Sequence, residues 1–177
     1  GSIPSSIPDD IYKKILDRLS GRDIHTVVDA TGDLLVNVLF HHPFLVKPNN
    51  HELGEIFGVK LRTRDGIVPY AEKLRKMGAR NVLVSMAGEG AVLAAENGNV
   101  YTAPAPEGTL VNGVGAGDSM VAGFLAGWME KQDYLHAFRM GLSAGSASAF
   151  SEYLASRPEI EAVYRQLVFL EDAEKQE

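Results

Sequence analysis

Short β-branched runs alternate with segments of helical spacing along this chain, and that alternation limits its fold more than any other feature. Residues 25–30 and 44–47 are two such runs, and apolar residues at helical spacing lie between them at 32–42. A third run, residues 81–85, follows a helical pattern at 66–77. A strand, a helix and a second strand in succession are typical of a parallel sheet with crossover helices. We therefore predict an α/β fold whose ligands bind at the carboxyl ends of the strands.

Polar residues follow several of these predicted strands. Four of them lie at strand ends: Asp29, Lys47, Asn49 and Ser85. Because the carboxyl ends of parallel strands share one edge of a sheet, we expect these side chains at one rim. Further along, Asn97-Gly98 separates two β-rich runs, and Asn-Gly in that setting is the strongest short-range hairpin signal. The sheet is therefore expected to gain an antiparallel edge.

The stretch with the most chemistry, residues 111–120, reads V-N-G-V-G-A-G-D-S-M. Apolar residues at helical spacing follow it: Met120, Val121, Phe124, Leu125, Trp128 and Met129. Gly113, Gly115 and Gly117 therefore lie at a helix N-terminus, where unpaired N–H groups bind anions. Asp118 falls in the first turn and stays ionised there, so it could accept a proton from an attacking group or hold Mg²⁺. The alternative is a glycine-rich turn in which Asp118 is an ordinary first-turn acid.

Two common glycine motifs are excluded at this stretch. A dinucleotide fingerprint that opens at Gly113 or Gly115 would need a glycine at Asp118 or Met120. A P-loop would need Gly-Lys followed by Ser or Thr, which the sequence does not contain.

Composition narrows the class of protein. The 177 residues are 45% hydrophobic and 23% charged, which suits one globular unit with a sizeable core. With no cysteine there is no disulfide framework and no Cys-type zinc site. The net charge of −6 argues against a nucleic-acid partner. No apolar stretch of about 20 residues and no secretory signal are visible, so we expect a cytoplasmic protein without a membrane partner.

G-A-G-D followed by S-M-V-A-G-F-L-A-G, residues 115–127, resembles the signature of the ribokinase-like carbohydrate kinases, the phosphofructokinase B family. The resemblance implies a ribokinase-like α/β fold, three-layered, with a mostly parallel central sheet flanked by helices. It implies that Asp118 is the catalytic base, and that the backbone of Gly115, Ala116 and Gly117 forms the anion hole for the transferred phosphoryl group. The family usually has Thr or Ser where this chain has Gly113.

A second stretch with several polar and charged side chains, K-P-N-N-H-E, begins at Lys47. Asn49 and Glu52 form N-x-x-E, which by itself predicts a helix capping box, or two groups that face one Mg²⁺. In the family, N-x-x-E orders water and magnesium around the phosphates, so the resemblance assigns Asn49 to the nucleotide and Glu52 to the metal through water. Lys47 could contact phosphate or form a structural ion pair.

Other family motifs extend the resemblance to both sides. Residues 85–90, S-M-A-G-E-G, match a nucleotide-side loop and imply that Ser85, Gly88 and Gly90 contact ATP. Ala87 replaces the usual glycine, and we predict that it keeps a negative φ or that Gly88 takes the left-handed conformation. Three small residues of the predicted helix at 134–150 could line adenine, as the resemblance implies, or permit close packing of the helix on the sheet: Ser143, Gly145 and Ala147.

Recognisable sequence patterns also occur at the beginning and end of the chain. Residues 1–8 resemble a mid-domain loop of the family, although Gly1-Ser2 could be a cloning remnant. Ser6 and Asp9 predict a capping box for a helix that starts near Ser6, with Ile11, Ile15 and Leu19 on its apolar face. Residues 1–167 are expected to be the C-terminal, nucleotide-binding part of one kinase domain, and 168–177 an acidic, frayed tail.

The resemblance implies an ATP- and Mg²⁺-dependent kinase that phosphorylates a small phosphosugar. The branch of the family with the most similar motifs converts fructose 1-phosphate to fructose 1,6-bisphosphate, and tagatose 6-phosphate is the nearest rival substrate. A nucleotide-binding module without turnover is the alternative of another class. The 177-residue chain alone is expected to be inactive, and the full-length protein could form a homodimer.

Overall fold

The structure, a computed structural model, describes residues 4, 6–8 and 10–174, with side chains up to residue 168. The described chain divides into two compact units. One unit, here called the sheet unit, runs up to Met86 and resumes at Ala91–Thr102. The other, the helical unit, comprises Ala87–Gly90 and the chain from Ala103 onward.

The sheet unit is built on five strands in the order in which the chain makes them. They are β1 Val27–Val28, β2 Leu45–Val46, β3 Asn81–Ser85, β4 Ala91–Ala94 and β5 Val100–Ala103. β1, β2 and β3 are parallel neighbours, whereas β4 is antiparallel to β3. The link from β4 to β5 is too short for a crossover, so these neighbours form the expected hairpin. The sheet described here is therefore mixed, because its parallel half is followed by the predicted antiparallel edge.

Helices of the sheet unit cover the apolar strands. They are α1 Ile11–Leu19, α2 Gly32–Val36, α3 Asn50–Phe57 and α4 Arg64–Lys76, with a 3₁₀ turn at Leu39–His41. In α4 the residues Ile67, Ala71 and Leu74 repeat at helical spacing and are fully buried. This stripe belongs to the same core cluster as the β3 residues Val82 and Val84, so the period of the sequence determines which face of α4 packs on the sheet.

Helix α1 departs from its prediction in both start and face. It begins at Ile11 after Asp10 rather than near Ser6, and Asp9 lies outside the described residues. Pro8 explains the late start, because the residue before a proline is disfavoured in helical conformation. Leu16 is the buried residue of α1, and Leu19 packs against the core as predicted, whereas Ile15 is 47% exposed, so the predicted face is wrong at Ile15.

The helical unit consists of α5 Ala116–Lys131, α6 Tyr134–Ala149 and α7 Arg157–Glu174, with a 3₁₀ turn at Ala87–Glu89. α5 and α6 pack closely because glycines on each helix leave room for the backbone and side chains of the other. A Cβ at Gly123 would lie 2.5 Å from the Met140 carbonyl oxygen, a distance that real Cβ atoms essentially never show. α7 continues to Glu174 and so extends into the segment from residue 168 that was expected to be a frayed tail.

No helix in the part of the chain that the structure describes combines the length and the apolar character needed to cross a bilayer.

Candidate active site

Polar groups gather at one edge of the sheet unit, as the strand ends predicted. Lys47 directly follows β2, and its Nζ lies 3.5 Å from Oδ1 of Asp29, which follows β1. Asn49 forms an isolated parallel bridge with Ser85 at the end of β3. The Lys47 side chain is only 8% exposed, and an ammonium group this buried needs a nearby carboxylate. The structural ion pair is therefore present, and a contact of Lys47 with phosphate stays a prediction.

Asn49 and Glu52 form a complete capping box at the start of α3. Asn49 Oδ1 accepts hydrogen bonds of 2.9 Å from the backbone N–H groups of His51 and Glu52, and Glu52 Oε2 accepts one of 2.8 Å from Asn49 N. The box fixes the position of the Glu52 carboxylate at the N-terminus of α3. A capping role and a metal role are compatible, because the box uses a single oxygen of Glu52.

Few acidic or metal-binding side chains lie together in the described part of the chain, and this limits how it could bind Mg²⁺. Within the described residues there is no group of three or more His, Cys, Asp or Glu side chains that could hold a metal. Mg²⁺ near nucleotide phosphates commonly uses one or two carboxylates and keeps several waters. Glu52 fits that mode of binding, in which the phosphates and water supply the remaining ligands.

The loop of residues 85–90 differs from its prediction at Ala87. Ala87 itself takes the left-handed conformation, with φ of 48°, and Gly88 does not. The Gly90 amide closes the turn by donating to the Ala87 carbonyl oxygen at 3.1 Å. A residue with a Cβ pays about 1–2 kcal/mol for this conformation, so the replacement of the family's glycine leaves a strained backbone here.

Replacing Ala87 by glycine is expected to raise the free energy of unfolding by about 0.5–1 kcal/mol. The left-handed strain is removed, and the greater freedom of glycine in the unfolded chain offsets part of the gain. Denaturant unfolding measures the difference. Ala105→Gly is the matched control, because Ala105 has no positive φ and the same change there should destabilise. If Ala87→Gly lowered the free energy of unfolding as much as Ala105→Gly does, the backbone at Ala87 would not be strained.

The glycine-rich stretch of the helical unit lies at the start of α5, as predicted, and its role as an anion hole stays a prediction. Gly115 is the N-cap of α5 with φ of 79°, and Asp118 lies in the first turn with an exposed side chain. The amide of Ser119 donates to the Gly115 carbonyl oxygen at 2.8 Å and is the first to close an α-helical turn. The Ala116 amide donates to the Gly113 carbonyl oxygen at 3.3 Å, and the Gly117 amide precedes that of Ser119. Amides left free at a helix N-terminus attract phosphate.

Small residues of α6 are buried rather than open. Ser143, Gly145 and Ala147 are all buried. A Cβ at Gly145 would lie 3.1 Å from both the Ala116 carbonyl oxygen and Met120 Cβ, so glycine permits the approach of α6 to the first turn of α5. Gly145 therefore permits close packing against α5, whereas the alternative had expected packing on the sheet. A contact of these three residues with adenine stays a prediction.

Comparison with known proteins adds to this geometry. Residues 1–160 match the model of the pfkB family carbohydrate kinases. The chain is 50% identical over 156 residues to 1-phosphofructokinase of Bacillus subtilis strain 168, and the matched region covers 88% of this chain and 51% of that protein. It is 30% identical over 168 residues to D-tagatose-1-phosphate kinase of Bacillus licheniformis, and that matched region covers 94% of this chain and 55% of the relative. The chain thus spans about half the length of the curated relatives it matches.

Solved structures show the same fold. Phosphofructokinase-2 from Escherichia coli in complex with substrates and products matches with a TM-score of 0.86 at 27% identity, over 95% of this chain and 55% of that one. Arabidopsis thaliana ribokinase complexed with ribose and ATP matches with a TM-score of 0.76 at 22% identity, over 90% and 53%. The predicted ribokinase-like fold is confirmed. The chain belongs to the pfkB family of carbohydrate kinases.

Proposed function

We propose that this chain is the C-terminal, nucleotide-binding part of a 1-phosphofructokinase, which uses ATP to convert fructose 1-phosphate to fructose 1,6-bisphosphate. The observation that carries the proposal is the start of α5. There an exposed Asp118 carboxylate lies in the same helical turn as the amides of Gly115, Ala116 and Gly117. Identity of 50% to 1-phosphofructokinase of Bacillus subtilis supports the choice of branch.

Asp118 is the proposed general base. Its carboxylate lies exposed in the first turn of α5, beside the proposed anion hole, where it can accept a proton. It takes the proton of the sugar hydroxyl while the hydroxyl oxygen bonds to the γ-phosphorus of ATP. The bond from that phosphorus to the bridging oxygen breaks, and ADP leaves. The amides of residues 115–117 stabilise the negative charge on the phosphoryl oxygens during the transfer.

The remaining ATP contacts are proposed by resemblance. In the sheet unit they are Lys47, Asn49 and Ser85, and in the helical unit they are Gly88, Gly90, Ser143, Gly145 and Ala147. When bound, Mg²⁺ neutralises phosphate charge, and Glu52 would hold it through water. Asn49 orients Glu52 through the capping box, so a single short segment supports both the helix start and the carboxylate.

Replacing Glu52 by glutamine is expected to raise the Mg²⁺ concentration needed for half-maximal activity about tenfold. Glutamine keeps an oxygen that can accept from Asn49 N, so α3 stays capped, while the negative charge is lost. The measurement is the Mg²⁺ dependence of turnover in the complete protein. Glu55→Gln, on an exposed position of the same helix, is the control. An unchanged dependence in Glu52→Gln would leave Glu52 with a capping role alone.

The experiment for the reaction follows the product directly. The complete protein is incubated with ATP, Mg²⁺ and fructose 1-phosphate, and the mixture is observed by ³¹P NMR. We expect ADP and a second phosphomonoester signal from the sugar. ATP binding without either product would favour the non-catalytic nucleotide-binding module.

Two further properties are proposed for the isolated chain and for the complete protein. The 177-residue chain alone carries out no sugar phosphorylation, because about half the length of its relatives is not contained in it. Turnover of fructose 1-phosphate by the purified chain would overturn this. A homodimer of the complete protein stays a prediction, which sedimentation of that protein tests.

A further inference from the structure

The anion-hole loop contains little that could order it by itself. Residues 113–117 include three glycines, and glycine loses more conformational freedom on folding than any other residue. Gly113 has no side chain, and a Cβ placed on it would meet no atom within 4 Å. The amides of this loop must nevertheless be held in place to act on a transferring phosphoryl group. Inside the loop the Ala116 amide donates to the Gly113 carbonyl oxygen at 3.3 Å, and neighbouring groups add further restraints.

Asn112 supplies two side-chain restraints at once. Its Oδ1 accepts a hydrogen bond of 3.0 Å from the backbone N–H of Val114, which closes an Asx turn over Gly113. Its Nδ2 donates a hydrogen bond of 3.1 Å to the carbonyl oxygen of Glu152, forty residues along the chain. One side chain therefore shapes the loop and ties it to the segment between α6 and α7, residues 150–156, here called the α6–α7 loop.

Backbone bonds and the first turn of α5 reinforce the same connection. The amides of Val111 and Asn112 both donate to the Ala149 carbonyl oxygen, at 2.8 and 3.1 Å. Ser148 Oγ donates to Ser119 Oγ at 2.9 Å and accepts from the amide of Ala155 at 3.1 Å. The end of α6 thus contacts the chain just before the glycines and just after Asp118.

Glu159 and the end of α6 hold the two ends of the α6–α7 loop. The Glu159 carboxylate accepts hydrogen bonds from the Ser156 amide at 2.7 Å and the Ser156 hydroxyl at 2.5 Å. The Ser151 hydroxyl donates to the Ala147 carbonyl oxygen at 2.9 Å and lies 3.3 Å from Glu159 Oε1. The bonds from Ser156, led by that of its hydroxyl, lower the pKa of Glu159, so the acceptor stays ionised at neutral pH. The Glu152 carbonyl oxygen therefore lies in a loop held by hydrogen bonds, so it is a well-positioned acceptor for the Asn112 side chain.

We propose that Asn112 is a positioning residue for phosphoryl transfer, because it holds the anion-hole amides of residues 115–117 against the α6–α7 loop. The inference rests on the proposed function. Loss of the Asn112 side chain leaves the glycines free to depart from the geometry that the transferring phosphoryl group requires. Interactions that matter most in the transition state change kcat, while those equally strong in the bound substrate change KM.

The test uses variants of the complete protein. Asn112→Ala removes both bonds, and Asn112→Ser keeps a hydroxyl that can accept from the Val114 amide but cannot reach Glu152. Asn97→Ala is the matched control, because Asn97 also closes an Asx turn, to the Asn99 amide at 3.0 Å, in the link between β4 and β5. We expect kcat to fall about tenfold or more in Asn112→Ala and less in Asn112→Ser, with KM for ATP within about threefold of wild type.

A second measurement does not depend on turnover. Hydrogen exchange of the peptide that covers residues 110–120 should be faster in Asn112→Ala than in wild type and Asn97→Ala. Faster exchange with an unchanged kcat would overturn the positioning role and leave a structural one. Unchanged exchange and unchanged kcat would overturn it as well. A wild-type protein that transfers no phosphoryl group would instead refute the proposed function, and exchange would still report whether Asn112 orders the loop. If Asn112→Ala does not fold, kcat and the hydrogen exchange of residues 110–120 are measured in Asn112→Ser, and the same outcomes support or overturn the positioning role.

Discussion

Replacing Asp118 by asparagine in the complete protein is expected to lower kcat about 10²-fold or more, with little change in the KM for ATP. Asparagine has nearly the same shape and can occupy the first turn of α5, so the helix and its amides should be preserved. What is lost is the group that accepts the proton of the sugar hydroxyl. A steady-state assay with ATP and fructose 1-phosphate measures both constants.

Asp133→Asn is the control for this substitution. Asp133 is also a carboxylate at a helix start in the same unit, where it accepts from the His136 amide at 2.6 Å, and asparagine can keep that cap. We expect kcat to be unchanged in this variant. An Asp118→Asn enzyme as active as Asp133→Asn would return Asp118 to the role of an ordinary first-turn acid.

Replacing Gly90 by alanine is expected to lower the free energy of unfolding by about 3 kcal/mol. A Cβ on Gly90 would lie 2.0 Å from the Ala103 carbonyl oxygen and 2.6 Å from the carbonyl carbon of Pro104, and both neighbours are backbone atoms that cannot rotate away. The φ of 95° adds strain for any residue with a side chain. Urea unfolding of the complete protein measures the loss.

Gly88→Ala is the control for Gly90→Ala, since a Cβ there meets nothing within 4 Å and φ is not positive. The free energy of unfolding should then change by about 0.5 kcal/mol or less. A Gly90→Ala variant as stable as Gly88→Ala would mean that the turn relaxes and that Gly90 is not required for packing.

Local patterns predicted the elements that carry the candidate site. The glycines and the apolar spacing after them identified the N-terminus of α5, and Asp118 lies in its first turn as expected. The N-x-x-E spacing predicted the capping box of Asn49 and Glu52 that the structure contains. Both predictions depend on contacts within one helical turn, and such contacts are determined by residues adjacent in sequence.

Features that depend on distant residues were harder to predict. The left-handed Ala87 was not expected, because sterics alone disfavour that conformation for alanine and the surrounding turn imposes it. The bond from Asn112 to Glu152 spans forty residues. Its one local signal was the Asn-Gly pair at 112–113, which favours an Asx turn but does not indicate which carbonyl the amide will contact.

The identity of the sugar is tested most directly by kcat/KM of the complete protein for fructose 1-phosphate, fructose 6-phosphate, tagatose 1-phosphate and tagatose 6-phosphate at one ATP and Mg²⁺ concentration. Tagatose 1-phosphate is included because a relative named for that substrate is 30% identical to this chain. The proposed function predicts the highest value for fructose 1-phosphate, by about tenfold or more. A higher value for either tagatose phosphate or for fructose 6-phosphate would contradict the proposed substrate.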